Sequence, residues 1–169
     1  MGNSMVQSQS EQARSFLERV STKMENYLNG ITLQQLIEEN PSGDPDYYRG
    51  LLSSIRRLHV FAEEGLDACT VVLKDESFRK AAAEKTLYWI YHTVIEEFFS
   101  PRSDLWSENS RAAYTGKNSI SFAEQAPESL KKLMADLEGD FQEMREELEY
   151  YETDYKTKVL QARRQENSL

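Results

Sequence analysis

The sequence predicts an all-α fold, an antiparallel four-helix bundle with one short extra helix, and three observations carry that expectation. Apolar residues recur at three- and four-residue steps along most of the 169 residues, the pattern of helices that each bury one stripe. All four prolines, Pro41, Pro45, Pro101 and Pro127, stand at the edges of these periodic runs, where proline starts or stops a helix. A strand is read only in the connection 100–126, at the alternating Ile120-Ser121-Phe122, as part of a small hairpin.

In chain order, Ala13, Phe16, Leu17, Val20, Met24, Tyr27 and Leu28 form the stripe of a helix over about 7–29, with Gly30 as the residue just past its end. Thr32 and Gln35 have the spacing of a capping box for a short helix over 33–39, through Leu33, Leu36 and Ile37, closed by Pro41. Asp44 then reads as an N-cap and Pro45 as the first position of a helix over 45–73. Gly65 and the β-branched residues after it would suit a break. The seven-residue rhythm of Tyr48, Leu51, Ile55, Leu58, Ala62, Leu66, Cys69 and Val72 nevertheless runs straight through, at about 1 kcal/mol for a helical glycine.

Lys74 and Asp75 make a tight connection, so the helix over 76–99 returns antiparallel, with Phe78, Leu87, Ile90, Tyr91, Val94, Ile95 and Phe98 inward and Trp89 as a second edge. The connection 100–126 holds Leu105, Trp106, Tyr114, Ile120 and Phe122, and a small β-hairpin around Thr115-Gly116-Lys117-Asn118-Ser119 fits between Tyr114 and Ile120. This connection is either a lid over an apolar pocket floored by Trp89 and Trp106 or a strap whose aromatics plug a bundle end; apolar burial favours the strap. From Pro127 a single helix is expected to about residue 165, along Leu130, Met134, Leu137, Phe141, Met144, Leu148, Tyr151 and Tyr155, its course to Ala162 alone being about 50 Å. Its seam outruns the shorter helices beside it. It must protrude, bend or find extra cover.

Composition narrows the function. One domain over 1–169 suffices for this length. A net charge of −9 opposes binding to nucleic acid or an anionic membrane, both of which need clustered Lys and Arg. Cys69 stands alone, so no intrachain disulfide forms and a zinc-thiolate cluster lacks its ligands; an inert buried thiol in a reducing cytoplasm is expected. The polar start lacks a secretory pattern, and Leu87–Phe99 is too short to span a bilayer. No phosphate loop, nucleophile elbow or Cys/His pair is present, so no cofactor or identified small molecule is expected and an enzyme is disfavoured.

Two sets of residues are candidates for chemistry. His59 and Glu63, and His92 and Glu96, are i,i+4 pairs on helices that run antiparallel. The four could meet as a metal set, although the Glu-x-x-His motif of di-iron bundles is absent and an ordinary intrahelical pair explains the same spacing. The second set lies on the last helix. Nine acids and one base, Arg145, fall between Asp136 and Asp154, which suits either a solvated face or a surface for a basic partner. Glu143 and Glu147, with Tyr150, Tyr151 and Tyr155 on the overhang, are the residues expected to bind a protein partner or a second copy, a homodimer being the simplest cover.

The opening MGNSMVQSQSEQ, the segment LYWIYHTVIEEFFSPRSDLW at 87–106 and the closing helix resemble the YpuI-like proteins of Bacillus-type bacteria. The resemblance spans nearly the whole chain. It implies a bacterial, cytoplasmic protein of unassigned role, and it carries over no active-site residue.

Overall fold

The computed structural model describes residues 2–74, 76–109 and 118–168. It is mostly helical, with one small antiparallel sheet of two strands. Helix α1 spans Asn3–Gly30, α2 Leu33–Glu39, α3 Pro45–Lys74 and α4 Lys80–Trp89. A π-helical segment, Ile90–Ile95, joins α4 to α5, Glu96–Phe99. Strands β1, Trp106–Glu108, and β2, Ile120–Phe122, precede α6, Glu128–Glu147, and α7, Asp154–Asn167.

Local chemistry explains most of these boundaries. The capping box of α2 forms: Gln35 N–H donates to Thr32 Oγ1 at 3.2 Å, and Thr32 N–H donates to Gln35 Oε1 at 2.8 Å. Asp44 Oδ1 accepts from Asp46 N–H at 2.9 Å at the start of α3. Gly65 lies inside α3, and the reason is packing. A Cβ there would sit 3.2 Å from Leu17 Cδ1 and 3.3 Å from Ile90 Cγ1, so its bare backbone lets α1 and the π segment approach. The start of α6 is capped from another helix, because Glu39 of α2 accepts both Ser129 N–H and Ser129 Oγ–H at 2.8 Å.

Three features of the sequence reading are changed by the structure. Gly30 closes α1 as its last helical residue, and Ile31, extended at φ −112° and ψ 144°, takes the C-cap, so no left-handed glycine stop is used. The expected helix over 76–99 begins only at Lys80, after an extended Arg79, with Phe78 folded back against the core. The hairpin partner of Ile120–Phe122 is Trp106–Glu108, with Trp106 opposite Phe122 and Glu108 opposite Ile120. Tyr114 and Thr115–Lys117 of the expected turn lie outside the described residues.

The largest correction concerns the last helix. It is not one rod over 127–165. After Glu147 the chain leaves the helical path at Leu148 (φ −100°, ψ 16°), makes a 3₁₀ turn over Glu149–Tyr151, and leaves it again at Thr153 (φ −136°, ψ −41°) before α7 begins. Leu148 and Tyr151 are wholly buried, whereas nothing in α7 is. The tighter turn sends Tyr151 inward where a straight helix would carry the chain past the end of the core.

The buried apolar residues form one cluster. Helix α1 packs along α3 and also against α4 and α6, so Phe16, Leu17, Val20 and Met24 lie at its centre. Phe141 of α6 stacks on Phe98 at 4.1 Å and meets Phe16 edge-on at 5.0 Å. The described part of the 100–126 connection is tied down firmly. Trp106 is buried and its indole N–H donates to Phe98 O at 2.6 Å, an orphan carbonyl at the end of α5, while Tyr47 Oη–H donates to Leu105 O at 2.7 Å. These bonds make it a strap across the helix ends.

Candidate functional site

The break after α6 gathers the chemistry-bearing side chains. Gln9 of α1, nearly fully buried, donates through Nε2 to Glu147 O at 3.2 Å, satisfying one of the last carbonyls of α6, and its Oε1 accepts from Tyr151 Oη at 3.3 Å. His92, in the middle of the π segment, reaches Tyr151 O through Nε2 at 2.8 Å. Since a carbonyl only accepts, that nitrogen carries the proton. Its Nδ1 lies 3.0 Å from Glu96 Oε1. Both ring nitrogens of His92 are thus engaged within the chain.

Rings close around this joint. Tyr88 lies 4.4 Å from the His92 ring and 5.5 Å from Tyr155, and Tyr150, Tyr151 and Tyr155 are mutually within 6.3 Å. Burial, reinforced by the nearby Glu84 carboxylate, raises the phenol pKa of Tyr150, Tyr151 and Tyr155 above the ordinary value. Tyr91 is pushed up to about 12, first by burial and then by Glu152 and Glu96. These phenols stay protonated at neutral pH and act as packing and hydrogen-bonding groups.

Arg145, the single base of the acidic run, explains itself here. Its guanidinium donates to Glu108 Oε1 and Oε2 at 2.8 and 2.7 Å and lies 3.7 Å over the Phe99 ring. The Glu108 hydrogen bond is the leading cause that raises its pKa. One side chain therefore fastens β1, α5 and α6 together. Nearby, the buried Glu138 accepts Ser119 N–H at 3.0 Å, holding the start of β2 against α6.

Each candidate metal residue lies beside its sequence partner. His59 Nε2 is 2.9 Å from Glu63 Oε1, but the approach is off-axis and leaves that buried nitrogen without a hydrogen bond. Among the described residues no three His, Cys, Asp or Glu side chains are grouped to hold an ion, so the two pairs stand as two pairs. Cys69 is buried, and burial pushes its thiol up to about 12. It is poorly suited as a nucleophile or metal ligand.

The expected partner residues divide. Tyr151 is covered by the chain's own core, whereas Tyr150 and Tyr155 remain half-buried, lining a small cavity of about 240 Å³ with Lys80, Glu84 and Lys158. Glu143 and Glu147 line a larger groove of about 340 Å³ between α1 and α6, with Ser8, Glu11, Gln12, Arg19 and Met144. Asp140 at its edge is paired with Arg19 at 3.4 Å and Lys23 at 3.1 Å. Gln9, at 4% exposure, is the residue of this joint that the sequence reading missed. A lone glutamine within a helix start gives no signal of the carbonyl it caps.

Residues 10–157 match the model of a family described as "Protein of unknown function (DUF3907)". The chain is 46% identical over 152 residues to a Bacillus subtilis (strain 168) protein described as "Uncharacterized protein YpuI", covering 90% of this chain and 84% of that one. No solved structure matches. No helix among the described residues is long and apolar enough to cross a membrane.

Proposed function

The chain belongs to the DUF3907 family, and we propose that it is a non-enzymatic cytoplasmic scaffold, one domain over 1–169, that binds a basic protein segment in the groove between α1 and α6. In this reading α1, α3, the α4–α5 unit and α6 act as a four-helix bundle, a rigid frame that holds the groove open. One observation carries it: Glu11, Glu143 and Glu147 face the groove without ion-pair partners among the described residues. Unpaired carboxylates along an open groove favour a segment that carries Lys or Arg.

The reading is tested by titrating the isotopically labelled full chain with a lysine-rich amphipathic peptide and a glutamate-rich counterpart. Shifts centred on Gln12, Glu143 and Glu147 with the basic peptide alone are expected. Glu143→Lys/Glu147→Lys should weaken that binding by about tenfold, given about 1 kcal/mol or less per exposed charge pair. Equal affinity of the double variant would sink the proposal.

A second reading, a metal- or small-ligand site using His59, Glu63, His92 and Glu96, is favoured only by the buried, unpartnered Nε2 of His59. Metal analysis of protein purified without an affinity tag decides it. Sub-stoichiometric metal, together with unchanged His59 resonances on metal addition, counts against it.

A further inference from the structure

Helix α7 is the anomaly of the fold. Its 14 residues include no buried one, and a helix of about 12–15 residues is marginal in water without a packed face. Its inner side is accounted for: Tyr155, Lys158, Val159 and Ala162 line the small cavity toward Lys80, Glu84 and Tyr150, with Lys158 Nζ 5.2 Å over the Tyr150 ring. The outer side is not. Lys156, Leu160, Arg163 and Arg164 follow at steps of four, seven and eight residues and so share one face. Leu160 is 46% exposed, and none of the three bases joins an ion pair among the described residues.

This face is the complement of the α1–α6 groove. The groove presents Glu11, Glu143 and Glu147, its one base, Arg19, being paired with Asp140 and its Met144 nearly buried; α7 presents Lys156, Arg163 and Arg164 around Leu160. In a chain of net charge −9, α7 is a locally basic element, with four bases against two acids, whereas α6 has seven acids against three bases. Two copies otherwise repel; this pair of surfaces attracts.

We propose that the outer face of α7 in one copy docks in the α1–α6 groove of a second copy, giving a reciprocal dimer. The inference rests on the groove reading above and names its occupant: the basic segment is α7 of the same protein. Because each copy supplies one helix and one groove, the two contacts are equivalent and close on a two-fold axis. Lys156, Arg163 and Arg164 pair with Glu11, Glu143 and Glu147, and Leu160 is withdrawn from water between the two copies.

Sedimentation of the full chain over about 1–100 µM is the primary measurement, a range that brackets contacts of micromolar strength. A concentration-dependent dimer at low salt is expected, dissociating as added salt screens the exposed charges. Two charge-reversed chains test the geometry, Lys156→Glu/Arg163→Glu/Arg164→Glu and Glu143→Lys/Glu147→Lys, each checked for native helicity by circular dichroism. Each alone should be monomeric. Mixed together they should form a heterodimer, since the acidic α7 of one then faces the basic groove of the other and the reverse contact is native. A monomeric wild type, or a mixture that fails to pair, overturns the inference. If the wild type is monomeric while the basic peptide still titrates Glu143 and Glu147, self-docking alone fails and the groove reading survives.

Discussion

Helices α6 and α7 are neighbours in sequence and both rich in charge, yet their fates differ. Helix α6 buries Leu130, Leu133, Met134, Leu137, Phe141 and Met144, and even Glu138, against the rest of the protein; α7 buries nothing. The apolar steps run without interruption from Leu148 through Tyr151 to Tyr155, so periodicity alone cannot separate them. What separates them is where the core ends. Tyr151 is the last side chain with a buried place, held by Gln9 at its hydroxyl and by His92 at its carbonyl. Past it only the half-buried Tyr155 still reaches the edge of the core, against Tyr88, Tyr150 and Tyr151, and the helix restarts after the break at Thr153.

Mutations on the two sides of the break should sharpen this contrast. Tyr151→Ala is expected to cost about 3–5 kcal/mol, the range for truncating a buried aromatic, whereas Tyr155→Ala, half-buried, should cost about 1 kcal/mol. Urea unfolding of both variants measures the difference, and equal losses would mean that α7 belongs to the core after all. Smaller in effect is Arg145→Met, which removes the charge held by Glu108 and the contact with Phe99 but keeps most of the volume. A loss of about 1–2 kcal/mol is expected, with faster hydrogen exchange in β1 and β2 and unchanged exchange in α7.

Smallest at neutral pH is the effect of titration. The Cys69 thiol, ordinarily near 9.0, and the Tyr91 phenol, ordinarily near 10.0, are both raised to about 12 by burial. The folded protein therefore favours their neutral forms. That contribution is complete below the ordinary values and is lost as pH rises toward about 12. Thermal melts should be flat with respect to these groups at pH 7–8 and fall steeply above about pH 9–10, while Cys69 resists thiol reagents until then. Rapid labelling of Cys69 in the folded protein at pH 8 would contradict its buried place.

The legible parts of the fold are those fixed by short-range chemistry. Thr32 and Gln35 are three residues apart and make their capping box without help from elsewhere; Asp44 and Pro45 do the same for α3. The rhythm from Tyr48 to Val72 carries α3 through Gly65 because each apolar residue independently finds the same side. For the candidate site, the pairs His59–Glu63 and His92–Glu96 were legible as neighbours, being four apart on helices. Their further surroundings were not. That His92 would reach across to the Tyr151 carbonyl depends on a contact between residues 59 positions apart.

The sequence by itself therefore determined the helical class, the caps, the course of α3 through its glycine, the strand at Ile120–Phe122 and the buried thiol, because these follow from local hydrogen bonding and from hydrophobic period. Only the tertiary structure decided that the last helix breaks at Tyr151, that the strap's β1 is Trp106–Glu108, that Gly65 is a point of close approach, and that Arg145 clamps Glu108 over Phe99. Each depends on where a remote surface ends or an orphan donor or acceptor finds its match, and no local pattern encodes that distance.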